Sequence, residues 1–436
     1  MTRPASIRQA TGFRGVRAAW RASPEWRKLF LARAISLVGT WFNALVLIEL
    51  LVGGSEEPSH AGQGALALAI VFVLKQGPLA VLSPTAGVLA DRLDRRRILI
   101  ACEFAAVVVS LGFLLLEPGG PAIWVYLLTA AQMTLTAFFM PAYKAILPSV
   151  VEPEHLVAAN VATSATWSIT FALGMWLGGI VLAFAGWRVA VLVDALTFLA
   201  SGLIVLSMHW QSTVRPRTVV KSIGGLLGLE EMRDGLRYIR ETPDVRRLLI
   251  VKLGWGSMGV ITLILALLGR SDYQIANNPS LGVSFLWGCR ALGTLFGPLL
   301  AYRFAGADRE RLGTAISIAF FVAPLSYAAF ALCHDFWLGG LFVFVAHLGG
   351  ATIWVISTVI LQQIVPDEFR GRTFAAELGL FTSASCLGML THGWLIEIGL
   401  LTARSALLIA CAICLVPAIA WVLRPETLDN SAHSHH

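Results

Sequence analysis

Apolar residues run along this chain in long unbroken stretches, each closed by a short polar or charged knot. Stretches of about 20 residues are what a helix needs to cross the hydrocarbon core of a bilayer. Twelve crossings are predicted, at roughly 29–52, 64–90, 98–116, 122–147, 156–184, 187–210, 247–269, 280–302, 312–333, 336–362, 372–398 and 403–423. The longest interruption follows the sixth. The pattern therefore predicts an N-terminal tail over 1–28, a six-helix bundle over 29–210, a linker over 211–246, a second bundle over 247–423 and a C-terminal tail over 424–436. Within the linker, Leu229, Met232, Leu236 and Ile239 recur at helical spacing between Glu230, Glu231, Arg233, Asp234, Arg237 and Arg240. That spacing predicts an amphipathic helix on the membrane surface, a spacer or lid between halves in the plainer reading and a binding surface in the other.

Composition agrees with lipid: 57% of the residues are hydrophobic and 14% charged, against about 25% charged in an ordinary soluble domain. The formal net charge of +7 would suggest nucleic acid in a soluble protein, but its placement argues otherwise. With crossings alternated from a cytoplasmic N-terminus, 26 of the 33 Lys and Arg fall in cytoplasmic tails and loops. Arg188, Arg270 and Arg404 fall outside, and Arg33, Lys75, Lys252 and Arg290 within the bilayer. Short loops rich in Lys and Arg stay on the cytoplasmic side, so both termini are expected there and no nucleic-acid partner is. Met1 to Arg27 is basic and lacks a signal-peptide core, leaving the first crossing to direct insertion. The six cysteines sit almost entirely in apolar runs without a spacing framework, which predicts packing residues rather than disulfides or a metal site.

The two halves look related. At an offset of 214 residues Ile146-Leu147 meets Ile360-Leu361, Val150-Val151 meets Ile364-Val365, Glu154 meets Glu368 and Gly179 meets Gly393. A duplicated six-helix unit is the architecture of a secondary transporter, with its site near the midplane where the repeats meet. No G-x-x-x-x-G-K-[ST] loop and no catalytic constellation accompanies it, so neither direct ATP drive nor an enzyme is expected, and no cofactor.

Gly87-Val-Leu-Ala-Asp91-Arg92, followed by Arg95-Arg96-Arg97, lies between the second and third crossings. The stretch resembles the signature of the major facilitator superfamily. Ser36 to Trp41, Leu147-Pro148, Gly178-Gly179, Asp194-Ala195 and Val365 to Arg372 resemble its enterobactin-exporter and macrolide-efflux-like branch. Two positions depart from the pattern: Asp94 stands where Gly is usual, and the fifth crossing lacks the Gly-Pro pair associated with antiporters. The resemblance implies an all-α membrane protein of twelve helices in two pseudo-symmetric bundles, working by alternating access. It also implies a gate, with Asp91 aimed at the start of the eleventh helix, where Arg370 and Arg372 lie.

Helices lining a cavity should carry polar residues on one face. The first crossing places Arg33, Ser36, Thr40 and Asn43 on one stripe, with Trp41 beside them; the fourth places Thr129, Gln132, Thr136 and Tyr143. The seventh has Lys252, Trp255, Gly259 and Thr262, and the tenth has His347, Trp354 and Thr358. The resemblance places these same four helices around the cavity. For each residue the alternative is a hydrogen bond between helices, which contributes about 0.6–2 kcal/mol in membranes. Intramembrane ionisable groups cost about 2.5 kcal/mol or more unless paired or hydrated. Glu49, Asp194 and His347 lie in the outer half or near the centre and are the candidates for proton coupling, with a structural pair between Asp194 and a cation such as Lys75 as the alternative for that residue. Arg33, Glu103, Lys144 and Glu377 lie in end turns, where snorkelling or ion pairing is expected.

These observations predict a monomeric, proton-coupled exporter of an amphiphilic small molecule, such as a drug or siderophore, in the cell membrane. A lysolipid transporter of the same fold and a non-transporting membrane sensor or scaffold are the competing readings. The His-rich end, Ser431 to His436, is expected to be a ragged tail.

Overall fold

The computed structural model describes residues 13–53, 64–209, 237–306 and 308–423. Every regular element among them is helical, as the apolar runs predict. A short helix, α1 (Phe13–Ala22), precedes α2 (Pro24–Val52), α3 (Ala65–Leu74), α4 (Gly77–Arg92), α5 (Arg95–Gly112), α6 (Ala122–Val150) and α7 (Leu156–Leu206). The second half continues with α8 (Pro243–Ser257), α9 (Ile261–Ser271), α10 (Pro279–Ala305), α11 (Arg309–Leu332), α12 (Phe336–Ile364), α13 (Asp367–Glu397) and α14 (Ala403–Leu423).

Helix starts follow local chemistry. Asp94, Asn278, Asp308 and Asp335 each accept backbone N–H groups of the helix they precede, satisfying donors that have no partner inside the helix. Asp94 takes Arg96 N at 2.9 Å and Arg97 N at 3.1 Å, which gives a physical reason for an acid at this position.

Among the described residues ten helices are long and apolar enough to cross a membrane, where the apolar runs predict twelve. Two local breaks account for the difference. Helix α7 has 51 residues, about 77 Å at 1.5 Å per residue, more than twice a bilayer core. Its helical geometry fails at Gly186, where φ is +82°, a conformation glycine adopts without steric cost. The predicted boundary between the fifth and sixth crossings falls at this point. The second predicted crossing is divided at Lys75-Gln76 into α3 and α4, each too short to be counted. The seventh bends through a 3-10 turn, Met258–Val260, between α8 and α9. Non-helical backbone at membrane depth is tolerated only inside protein or beside a cavity.

The chain divides into two compact units, Met1–Glu56 with Leu74–Leu227, and Glu57–Val73 with Gly228–His436. In the first, α2 packs along α7, and α5 packs on α6 and α7. In the second, α12 packs between α10 and α11, and α8 lies on α13. Helix α3 belongs to this second unit: Phe72 lies 5.8 Å from the Trp287 ring, and Leu66 N donates to Glu397 Oε2 at 3.2 Å. Large apolar side chains such as Leu115, Phe184, Phe304 and Trp337 are exposed, as a lipid-facing surface requires.

Two arginines expected on the outer side carry local counter-charges. Arg188 pairs with Glu117 at 2.6 Å, and Arg404 binds Asp272 while also donating to Ala331 O and Cys333 O. Of the expected linker helix, residues 237–241 are helical; Ile239 is buried and Tyr238 stacks on Phe369 at 4.4 Å. Leu229, Met232 and Leu236 lie outside the described residues, as does the His-rich tail.

Candidate functional site: buried polar clusters in each unit

Asp194 of α7 is fully buried in the first unit, at 0% exposure. Its Oδ2 accepts the Ser110 hydroxyl of α5 and Gln132 Nε2 of α6 at 3.4 Å. Its Oδ1 has no hydrogen-bond partner among the described residues. Lys75, at the break between α3 and α4, lies within the electrostatic field of this carboxylate, yet its buried Nζ also has no hydrogen-bond partner among the described residues. The two therefore sense each other without touching, so the expected structural pair is not closed. Space for the open oxygen comes from Gly39 of α2. A Cβ there would stand 2.8 Å from Asp194 Oδ1 and would collide with the Thr197 hydroxyl.

A second acid lies two turns away. Glu103 of α5 is 3% exposed and accepts from the Ser201 hydroxyl of α7 at 2.8 Å, while its Oε2 has no hydrogen-bond partner among the described residues. Arg33 and Ser36 of α2 face it. The Arg33 guanidinium rests 5.3 Å from the Phe139 ring and donates to Met140 Sδ at 3.3 Å. End-turn snorkelling does not describe Glu103; it is buried among helices.

The second unit holds its charge differently. Lys252 of α8, 0% exposed, lies 2.8 Å from Glu377 Oε1 of α13, 2.8 Å from Trp354 O and 2.9 Å from Thr358 Oγ1, with its ammonium 3.6 Å from the Trp354 ring centroid. Every donor direction of the ammonium is used, and the attraction to the ring face adds to the ion pair. Elsewhere in the same unit, Arg290 Nε donates to His347 Nε2 at 3.0 Å and its Nη1 to Thr262 Oγ1 at 2.9 Å. His347 Nδ1 meets the Tyr327 hydroxyl. Because Nε2 accepts from a guanidinium, the ring proton sits on Nδ1 and points at Tyr327. A proton arriving at Nε2 requires Arg290 to move first.

Several stripe residues spend their polar groups locally. Thr40 donates to Ser36 O and Thr136 to Gln132 O, each within its own helix. Trp41 lies tilted against Phe171 at 4.2 Å, Tyr143 stacks on Phe139 at 5.9 Å, and Trp255 lies edge-on to His347 at 5.6 Å. Asn43 is fully buried, and neither of its amide atoms has a hydrogen-bond partner among the described residues. Glu49 is half-buried near the end of α2.

In the signature loop, Arg95 Nη1 donates to Ala145 O at 3.0 Å, and Arg96 reaches Val205 O and Leu206 O at the end of α7, where a helix dipole favours a cation. Arg97 is exposed. The side chains of Asp91 and Arg92 and the surroundings of Gly87 lie outside what is described. Arg370 donates to Gln362 O and Val365 O, and Arg372 lies over Phe369.

The family model described as transmembrane secretion effector matches residues 19–435. The chain belongs to that family of major facilitator transporters. Its relatives include macrolide efflux protein A of Streptococcus pyogenes, 24% identical over 375 residues that cover 83% of this chain and 87% of the relative. A multidrug efflux pump of Mycolicibacterium fortuitum is 27% identical over 352 residues, 77% of this chain and 81% of that one. An enterobactin exporter of Escherichia coli is 26% identical over 380 residues, 84% and 83%. Among solved structures, the nucleoside transporter NupG superposes with a TM-score of 0.69 at 15% identity, over 92% of this chain and 99% of that one. A bacterial homologue of the lysosomal transporter Spinster gives a TM-score of 0.67 at 15% identity, covering 92% and 96%. These two show the same fold.

Within the major facilitator frame, stripe reasoning finds Gln132, Lys252, Thr262, His347, Trp354 and Thr358 in the clusters but leaves out their partners. Ser110, Ser201 and Tyr327 carry no charge signal, while Lys75, Glu103, Arg290 and Glu377 do. The cost of burying any ionisable group is the signal that marks the latter four.

Proposed function

We propose that this transporter exports an amphiphilic small molecule across the cell membrane and that Asp194 takes up the coupling proton. One observation carries the coupling: a fully buried carboxylate with one oxygen unpartnered and an unlocked ammonium in its field. Such an acid can gain a proton without dismantling a network. The Glu377 pair, in contrast, would have to break several contacts. The efflux activities named for the relatives support export. Aromatic side chains on or beside the stripes, Trp41, Trp255 and Trp354, suit a flat, amphiphilic substrate. The charge asymmetry of the loops supports two cytoplasmic termini, and the chain acts as a monomer of two six-helix bundles. Gly87, Asp91 and Arg92 act as the cytoplasmic gate, so Asp91→Asn stops flux while insertion persists.

The test is expression in a strain stripped of its own efflux pumps. Accumulation of a panel of dyes, macrolides and siderophores is measured with and without an uncoupler. Export of at least one compound should collapse with the uncoupler in the native protein, and Asp194→Asn should abolish the uncoupler-sensitive part. Full pH-gradient dependence in Asp194→Asn sinks the assignment.

A further inference from the structure

The chain enters both units through the same motif. Arg21-Ala-Ser-Pro-Glu-Trp-Arg27-Lys28-Leu29 leads into α2, and Arg240-Glu-Thr-Pro-Asp-Val-Arg246-Arg247-Leu248 leads into α8, 219 residues later. Both arginines, the proline and the leucine repeat unchanged, while Ser23 becomes Thr242, Glu25 becomes Asp244 and Lys28 becomes Arg247, each within its own chemistry. The local structure repeats as well. Ser23 N donates to Ala19 O and Thr242 N to Tyr238 O, both at 3.0 Å; Arg27 N donates to Ser23 O and Arg246 N to Thr242 O, both at 3.1 Å. Residues 237–246, assigned to the linker by the apolar pattern, are therefore the entry to the second unit, as residues 18–27 are to the first.

The second basic residue of each copy has the same target. Lys28 Nζ, paired with Glu25 at 2.9 Å, donates to Ser207 O at 3.0 Å, where α7 ends. Arg247 Nη2 donates to Trp421 O at 2.7 Å in the last turn of α14, and its guanidinium lies 4.1 Å from the Trp421 ring. Ser207 and Trp421 stand 214 residues apart, the offset that relates the halves. Carbonyls at a helix C-terminus have no partner in their own helix, and the dipole there attracts a cation. Here the cation comes from 179 and 174 residues away, on the first crossing of the same unit.

A third helix joins each contact. Arg96, at the start of α5, donates to Val205 O and Leu206 O. Its counterpart at the offset of 214 is Glu310, whose charge is wrong for a helix C-terminus. In the second unit the contact runs the other way: Trp421 Nε1 donates to Ser317 Oγ of α11 at 2.9 Å. The same three crossings are tied at their outer ends. Arg188, entering the sixth, pairs with Glu117 after the third, and Gly119 N donates to Leu50 O at the end of the first at 3.0 Å. Arg404, entering the twelfth, binds Asp272 after the seventh and the carbonyls of Ala331 and Cys333 after the ninth.

We propose that the first, third and last crossings of each unit form a rigid frame, closed at the cytoplasmic end by a duplicated basic joint, against which the remaining crossings move. The frame rests on the transport reading and adds which helices of each unit stay together during the cycle. Lys28, Arg96 and Arg247 are positioning residues in it, and Arg96 of the signature loop serves the frame rather than the gate.

Hydrogen exchange read by mass spectrometry, on the full-length protein in lipid nanodiscs, tests the joint without a substrate. Lys28→Met should speed exchange in the first two turns of α5, and Arg96→Met in the first two turns of α2, by about fivefold or more, the scale of a lost helix-end cation. A cap serving α7 alone would loosen only the last turn of α7. Arg247→Met should loosen α8 and the part of α11 around Ser317. Lys28→Arg and Arg247→Lys keep a donor for the carbonyl and should restore most of the protection. In the strain stripped of efflux pumps, the combined Lys28→Met, Arg96→Met variant should lose maximal export rate at a native half-saturating concentration, because neither residue touches substrate. Loosening confined to the end of α7 in both single variants overturns the joint whatever the transport assay shows. Loosening across helices with native export kinetics overturns the frame's part in the cycle. Loosening across helices in a protein that exports no compound of the panel defeats the transport reading and leaves the joint standing.

Discussion

The Lys252 ammonium sits 2.8 Å from Glu377 Oε1 with the two side chains 0% and 6% exposed, whereas Lys75 and Asp194 share a field without a bond. Buried ion pairs repay their desolvation only when geometry is good and the remaining donors are satisfied. The first pair meets that condition and the second does not.

Removing one partner of the closed pair leaves an uncompensated charge. Lys252→Met or Glu377→Gln should each destabilise the second unit by about 3–5 kcal/mol, read as a drop in thermal unfolding midpoint in detergent. The double variant Lys252→Met, Glu377→Leu should regain most of the loss. Equal loss in single and double variants would show that the pair is not the source.

Gly39 tests the tightness of α2 against α7. Gly39→Ala forces a methyl onto Thr197 and Asp194, and overpacking of this kind costs about 1–3 kcal/mol. A stability within error of the native protein would mean that the two helices can part there.

Asp94 departs from the family pattern and caps α5. Asp94→Ala should lower stability by about 1 kcal/mol, and Asp94→Gly by only a few tenths. That order, measured by chemical unfolding at low salt, distinguishes capping from a purely electrostatic role, for which the two variants would match.

The Arg290 contact fixes the His347 tautomer. Nitrogen NMR on selectively labelled histidine should find His347 as the Nδ1–H form, and Arg290→Met should remove the donor at Nε2 and let the neutral ring exchange between its two tautomers. A native signal in the Nε2–H form contradicts the Arg290 contact.

The sequence by itself determined the solvent, the helical class and the family. Runs of about 20 apolar residues have one solution in lipid, since only helices satisfy their own backbone there without closing a barrel. Gly186 shows how a local residue is legible: the predicted boundary between crossings falls at a positive φ. The stripe periodicity located polar faces but could not say what each face met. Thr40 and Thr136 turned their hydroxyls onto their own helices, while Asp194 found Ser110 and Gln132 from helices far away in the chain. Periodicity is a property of a few turns, whereas a partner 84 or 62 residues distant is chosen by how helices pack. Tertiary structure alone decided that Lys252 is locked and that Asp194 keeps an open oxygen. The sequence shows only a lysine and an acid in each half; the reach of the side chains across the packed helices made one a bond and left the other apart.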